Sequence, residues 1–281
     1  MADDPKDAVL EFYTTHPISE DQILDKLRSD GVDIDRLSQD LLQDYDQDHY
    51  GGLAANDTLG DWAGIDADTH VLDLCCGLGG PARYFAAKHG CTVIGVDLTE
   101  SRVSGARNLT DLTDLSHRVR FECADARDLP FEDATFDIAI SQEAFGHIPD
   151  KDRLIAECAR VLKPGGRLAF TDILATPRTR AVTHRRLAED MAFHQLSTQQ
   201  DYIDRLGAAG CEVTRTEDLG EAWRGILIDR LGMYRHLGNQ TIARFGQAHY
   251  DRWDRAYSFF VSQFSTGELS GGRFLARRND D

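Results

Sequence analysis

From residue 69 to about residue 175 the chain alternates short apolar runs with longer amphipathic ones, and this rhythm constrains the fold more than any other feature. "HVLDLCC" is followed by "GGPARYFAAKHG", "CTVIGVDL", "TESRVSGARNLTDLT" and "VRFECAD", then by "FDIAISQ", "KDRLIAECARVL", the turn "KPGG" and "RLAFTDIL". Runs that are apolar at successive positions are buried on both faces, and a helix between consecutive strands supplies the cover. The pattern therefore predicts an α/β fold with a mostly parallel sheet and helices on both sides.

The flanks read differently. Residues 1–64 are polar with helical spacing; in "SEDQILDKLRSDG", Ser19 is the expected N-cap, Ile23, Leu24 and Leu27 share a face, and Gly31 ends the helix. After Ile173 the pattern becomes helical, with Leu187 and Met191 on one face and a further helix over "QQDYIDRLGAAG", before "CEVTRTEDL" reads as a strand. Residues 221–264 are helical again and carry Tyr250, Trp253, Tyr257, Phe260 and Phe264 at three- and four-residue spacing, a stripe expected to face the core. "LSGGRFLARR" reads as a last strand, which makes residues 221–264 an insertion. The expected organisation is an N-terminal helical extension over 1–64 and one α/β domain over 65–281.

Composition excludes several function classes. A formal net charge of −17 leaves no basic surface to neutralise phosphates, so nucleic acid is not an expected partner. Asp outnumbers Glu by 36 to 12 and Arg outnumbers Lys by 26 to 5, a surface compatible with a salt-rich setting. No run of ~18 apolar residues and no basic-then-apolar start occurs, so neither a membrane span nor a signal peptide is expected and a cytoplasmic location follows. The six cysteines lie mostly inside strand and helix patterns and read as reduced packing residues. No CxxC, HxxxH or HxH occurs, so no metal site is expected. Oligomeric state is not legible; a homodimer is compatible with the sequence and not specified by it.

"VLDLCCGLGG" is a glycine-rich turn after the first strand, with Cys75 where a first glycine is usual and with Gly77, Gly79 and Gly80 after it. The turn alone fits either a dinucleotide or a methyl donor. Three acids at strand ends discriminate. Asp73, Asp97 and Asp125 close the first three strands and converge where open α/β sheets bind ligands. Asp97 suits two ribose hydroxyls, Asp125 an exocyclic adenine amine, and Asp73 a cationic amino-acid end. Carboxylates suit a sulfonium zwitterion better than a pyrophosphate, which requires bare N–H groups and positive dipoles. The expected cofactor is S-adenosyl-L-methionine, leaving as S-adenosyl-L-homocysteine. An NAD-dependent oxidoreductase is the rival from another class.

"VLDLCCGLGG", "VIGVDL", "CADARDLPF", "FDIAISQEAFGHI" and "VLKPGGRLAF", in this order, resemble the motifs of class I S-adenosylmethionine-dependent methyltransferases over about residues 70–175. "YDQDHYGGLAAND", "GLGGPARYFA", "SQEAFGHIPDK" and "GELSGGRF" resemble more narrowly the sarcosine/dimethylglycine N-methyltransferase-like group. The resemblance implies a Rossmann-like fold with a seven-stranded, mostly parallel sheet. It also implies N-methylation of a small amine or amino acid on the way to glycine betaine, with O-, C- or S-methylation of a specialised metabolite as the alternative. By the same resemblance Gly77 and Gly79 would pass close to the methionine part of the donor. Asp97 and Leu98 would hold the ribose, Asp125 and Ala126 the base, and Gln142 the reactive end. Cys75 departs from the usual glycine.

Arg83 is a candidate for the donor carboxylate. In the resembling group the segment "YDQDHYGG" folds over the donor as a lid, so Tyr45, His49 or Tyr50 would exclude water and orient the acceptor, Tyr50 being the catalytic candidate among them. His147 is a candidate for touching the acceptor, as a proton acceptor or an orienting group. Met191, Phe193, His194, Trp223, Met233 and Tyr234 are candidate acceptor walls, and Arg178, Arg224 or Arg235 a candidate cation for an acceptor carboxylate.

Overall fold

β1 (His70–Leu74) has a paired strand on each side and is buried throughout except at its first residue, as its apolar run, broken only by Asp73, requires. The computed structural model describes residues 5–14, 16 and 18–280. Among the described residues four α-helices precede β1: α1 (Pro5–Thr14), α2 (Glu20–Ser29), α3 (Gln39–Leu42) and α4 (Gly52–Ala63). Alternation then follows with α5 (Gly80–His89), β2 (Thr92–Asp97), α6 (Glu100–Leu112), β3 (Val119–Cys123), β4 (Phe136–Gln142), α7 (Lys151–Val161) and β5 (Leu162–Ala175). The remainder is α8 (Ala181–Met191), α9 (Gln199–Ala208), β6 (Cys211–Asp218), α10 (Gly220–His236), α11 (Gly238–Phe245), α12 (Gln247–Thr266) and β7 (Leu269–Arg278).

Among the described residues the strands form one seven-stranded sheet in the order β3-β2-β1-β4-β5-β7-β6, in which β7 runs antiparallel to both of its neighbours. The order reverses between β1 and β4. Helices leaving adjacent strands in opposite directions open a crevice there, at the carboxyl ends.

Side chains divide by the period of two. Leu72, Leu74 and Ala139 join Leu154, Phe170 and Tyr202 on one face, while Val71, Ile138 and Ile140 join Ala82, Phe85, Val93 and Phe121 on the other. Each fully buried Leu or Phe contributes roughly 1.5–3 kcal/mol, so the two layers dominate stability. A third apolar cluster lies beneath α10 and α12, around Leu187, Trp223, Phe260 and Phe264, and a fourth joins α2 to α6 through Ile23, Leu27 and Leu109.

Local signals hold where the chemistry is local. The Ser19 side chain accepts from the Gln22 backbone N–H and caps α2. Gly79 and Gly90, both left-handed, bracket α5, which has Pro81 in its first turn. "KPGG" does not separate α7 from a new strand. It lies inside β5 as a bulge, between the Phe136–Leu162 and Ile138–Arg167 pairs. The helical region before β7 resolves into α10, α11 and α12.

Candidate active site

The turn after β1 is built from three left-handed residues, Cys75 (φ 57°), Gly77 (φ 54°) and Gly79 (φ 76°). Cys75 therefore takes the conformation that glycine would take, at a cost of about 1 kcal/mol for an L-residue. The Cys76 N–H donates to Val96 O (3.0 Å) and the Gly79 N–H to Cys76 O (2.8 Å), tying the turn to β2 and onto itself. At Gly77 a Cβ would meet nothing within 4 Å, so the backbone is bare toward the crevice. At Gly80 a Cβ would collide with the Asp46 carbonyl, because the N-terminal segment is pressed against the turn.

Above the turn lies a cavity of about 1550 Å³, counted out to its open mouth, bounded by the strand ends, α1, the segment 46–50 and the insertion. Eight expected donor-binding residues line it: Asp73, Cys75, Gly77, Asp97, Leu98, Asp125, Ala126 and Gln142. Asp97 is fixed at both oxygens, accepting from Gly77 N (3.0 Å) and Thr99 N (2.9 Å). Burial raises its carboxyl, and burial together with the Asp97 charge pushes Asp73 up to about 8. Asp73 Oδ2 and Gln142 Oε1 are buried acceptors with no partner among the described residues. An unpaired buried acceptor is unfavourable, and an ammonium beside a sulfonium is a ligand that would satisfy both. These residues fit S-adenosylmethionine. Asp125 differs from expectation in one respect: Arg127 holds it in a fork, Nε to Oδ1 (3.0 Å) and Nη2 to Oδ2 (2.8 Å), and lowers its carboxyl.

Away from β3 the cavity becomes an aromatic chamber. His147 is buried, stacked on Phe193 at 4.3 Å between ring centroids. Its Nδ1 lies 3.1 Å from the Ala192 carbonyl, which can only accept, so Nδ1 carries the proton. Nε2 is then a lone pair and accepts from Tyr13 Oη at 3.1 Å. Burial drives the imidazole down to about 3 and keeps it neutral. Arg230 of α10 donates to Asp48 O (2.9 Å) and His49 O (2.7 Å). Burial pushes the Asp48 carboxyl up, and the attraction of His16, Arg102 and Arg230 overrides it, holding it below the usual range. Glu143 sits in the left-handed region (φ 51°), accepting from Tyr50 N (2.6 Å) and Thr171 Oγ1 (2.6 Å); burial pushes it up to about 7.

Residues 72–170 match the family model described as "Methyltransferase domain". The 27-O-demethylrifamycin SV methyltransferase of Amycolatopsis mediterranei is 31% identical over 198 residues, covering 69% of this chain and 73% of that protein. The chain belongs to the class I S-adenosylmethionine-dependent methyltransferases. Methyltransferase GfsG of Streptomyces halstedii is 36% identical over 57% of this chain and 59% of its own length. The sarcosine/dimethylglycine N-methyltransferase of Halorhodospira halochloris is 32% identical over 55% of each chain. The chain thus spans between about half and three quarters of these relatives. Among solved structures, one from Galdieria sulphuraria, provisionally described as a sarcosine dimethylglycine methyltransferase, superposes with a TM-score of 0.77 at 21% identity, over 93% of this chain and 99% of that one. That likeness concerns the fold.

As a methyltransferase the molecule uses some expected residues differently. Arg83 does not reach the cavity. It is fully buried beneath the turn, donating to Asp46 Oδ2 (2.8 Å), Leu78 O (2.7 Å) and Thr110 Oγ1 (3.0 Å), because a guanidinium on that helix face points into the α5–α6 interface. Gly79 caps α5 below the cavity surface. Tyr45 donates to Asp30 on the outer surface, leaving His49 and Tyr50 on the lining. Met191, Phe193 and Tyr234 line the chamber, Trp223 packs edge-on behind Tyr50, and Met233 is exposed. Arg224 and Arg235 are paired outside it, with Glu221 and Asp254, and neither Arg178 nor His194 lines it. The sequence reading missed Phe12, Tyr13, His16, Asp48, Arg102, Glu143 and Arg230. "EFYTTH" is a signal that could have been used, two rings near the end of α1 and a third just beyond it.

Proposed function

We propose that this methyltransferase transfers a methyl group to the nitrogen of a small amine or amino acid of the sarcosine or dimethylglycine type. One observation carries the reading: the chamber is walled by Phe12, Tyr50, Tyr234, Trp253 and Tyr257, and the histidine within it has its lone pair engaged by Tyr13. Aromatic faces stabilise an alkylammonium product through the ring quadrupole, and an amine already neutral needs no base. The bound donor supplies an electrophilic methyl group whose carbon–sulfur bonding pair departs with the sulfur as a nitrogen–carbon bond forms. The chain's own part is alignment and exclusion of water. Asp97 holds the ribose, the bare turn passes the methionine part of the donor, the 46–50 segment covers it as a lid, and Tyr50 and His147 shape the chamber wall.

O-methylation of a specialised metabolite is the second reading. It is favoured by Glu143, which has a carboxyl balanced near neutrality on the cavity lining and is a candidate base for a hydroxyl. Incubation with methyl-labelled donor and a panel of amines, phenols and thiols tests the proposal. Label on nitrogen supports it, and label confined to oxygen, carbon or sulfur refutes it.

A further inference from the structure

Buried polar atoms without a partner among the described residues run along the cavity lining. Asp73 Oδ2, Gln142 Oε1 and Thr99 Oγ1 lie at the donor end, His49 Nδ1 and Arg102 Nη2 under the N-terminal segment, and the indole Nε1–H of Trp253 and the hydroxyl of Tyr257 on the α12 wall. The two rings stack at 6.1 Å and 14°, and Phe12 stacks on Trp253 at 5.5 Å. His16 meets the same indole edge-on at 5.5 Å. Tyr257 is only 5% exposed. An indole N–H can only donate, and a dry, unpaired donor is unfavourable by about 1–3 kcal/mol. The group that satisfies this wall must bring oxygen lone pairs.

Charge narrows the class. Arg102 and Arg230 place two guanidiniums along the chamber beside Asp48, a carboxylate held below its usual range and 3.6 Å from Arg102. Arg230 lies 5.0 Å from the Tyr50 ring centroid and its charge acts on Tyr234 and Tyr257. The histidines of this end, His16, His49 and His147, are neutral through burial, and Glu143 offsets the surplus only as it ionises near pH 7. The donor end carries carboxylates, whereas this end is biased toward an anion.

We infer that Trp253 Nε1 and Tyr257 Oη form the subsite for a carboxylate on the acceptor, so that the substrate is an amino acid whose nitrogen is turned toward the donor and whose acid is read by an indole and a phenol. The inference rests on the N-methylation reading for the orientation, and assigns to this wall the task that no arginine outside the chamber performs.

The test is calorimetry on enzyme saturated with S-adenosylhomocysteine, comparing dimethylglycine with its uncharged amide in wild type, Tyr257→Phe and Trp253→Phe. Removing a hydrogen bond to a charged group weakens binding by about tenfold, so each variant is expected to bind the acid about tenfold more weakly with the amide little changed. Unchanged affinity for S-adenosylhomocysteine shows that each variant is folded. Equal binding of acid and amide by wild type, binding of neither, or acid binding indifferent to both substitutions overturns the inference. Acid that binds in the expected pattern but receives no label from the donor supports the subsite and refutes the N-methylation reading separately.

Discussion

Asp73 is the residue in which burial and chemistry are most opposed. Its carboxyl is pushed up to about 8, first by burial and then by Asp97. A carboxyl raised in the folded state contributes stability that is fully present below its ordinary range near 4 and is lost as pH rises through about 8. A cationic ligand reverses the preference and ionises the group. Binding of S-adenosylmethionine at pH 7 is therefore expected to release close to one proton, read as a binding enthalpy that changes with the ionisation enthalpy of the buffer. Asp73→Asn should abolish that dependence, and a buffer-independent enthalpy in wild type would show that Asp73 is already charged. Two further residues give separable outcomes. Cys75→Gly relieves a left-handed L-residue and should stabilise the protein by about 0.5–1 kcal/mol in denaturant titration, with donor affinity unchanged. Tyr13→Phe leaves the His147 Nε2 lone pair without its donor; turnover should fall by about tenfold with the dissociation constant of S-adenosylhomocysteine unchanged.

At the scale of elements, the chamber depends on two segments far apart in sequence that close on each other. Arg230 of α10 holds the backbone carbonyls of Asp48 and His49, so the N-terminal segment is pinned by the insertion. Arg230→Ala should expose residues 46–50 to faster proteolytic cleavage and raise the acceptor KM more than the donor dissociation constant; equal effects on both would deny that the pin belongs to the chamber. How legible each element was in the sequence follows from the range of the interaction that shapes it. β1, β2 and β4 were legible because a strand covered on both faces is mostly apolar, and the cap at Ser19 because its partner is three residues away. The α12 stripe was half legible. Tyr257, Phe260 and Phe264 enter the core as expected with Trp253 packed against them, yet Trp253 and Tyr257 also line the cavity, opposite Phe12 of α1. Arg83 was misplaced for a similar reason, since its partner Asp46 lies 37 residues away and no local pattern marks it.

For the whole molecule, the sheet order β3-β2-β1-β4-β5-β7-β6 places the strand-end acids Asp73, Asp97 and Asp125 at one end of a single crevice and the aromatic chamber at the other. The surface surrounding it carries a net charge of −17, whose self-repulsion falls as salt shortens the Debye length to about 3 Å at 1 M. The melting temperature should therefore rise between low and molar KCl, and a flat or falling trend would mean that the acids are locally balanced. The donor cradle remains the premise of every functional statement, and a calorimetric titration of S-adenosylhomocysteine into wild type and Asp97→Ala addresses it most directly. The expected result is one-to-one binding that weakens roughly a hundredfold in the variant, as two hydrogen bonds to a charged group are lost. Absence of binding by the wild type, or equal affinity in both proteins, would contradict it.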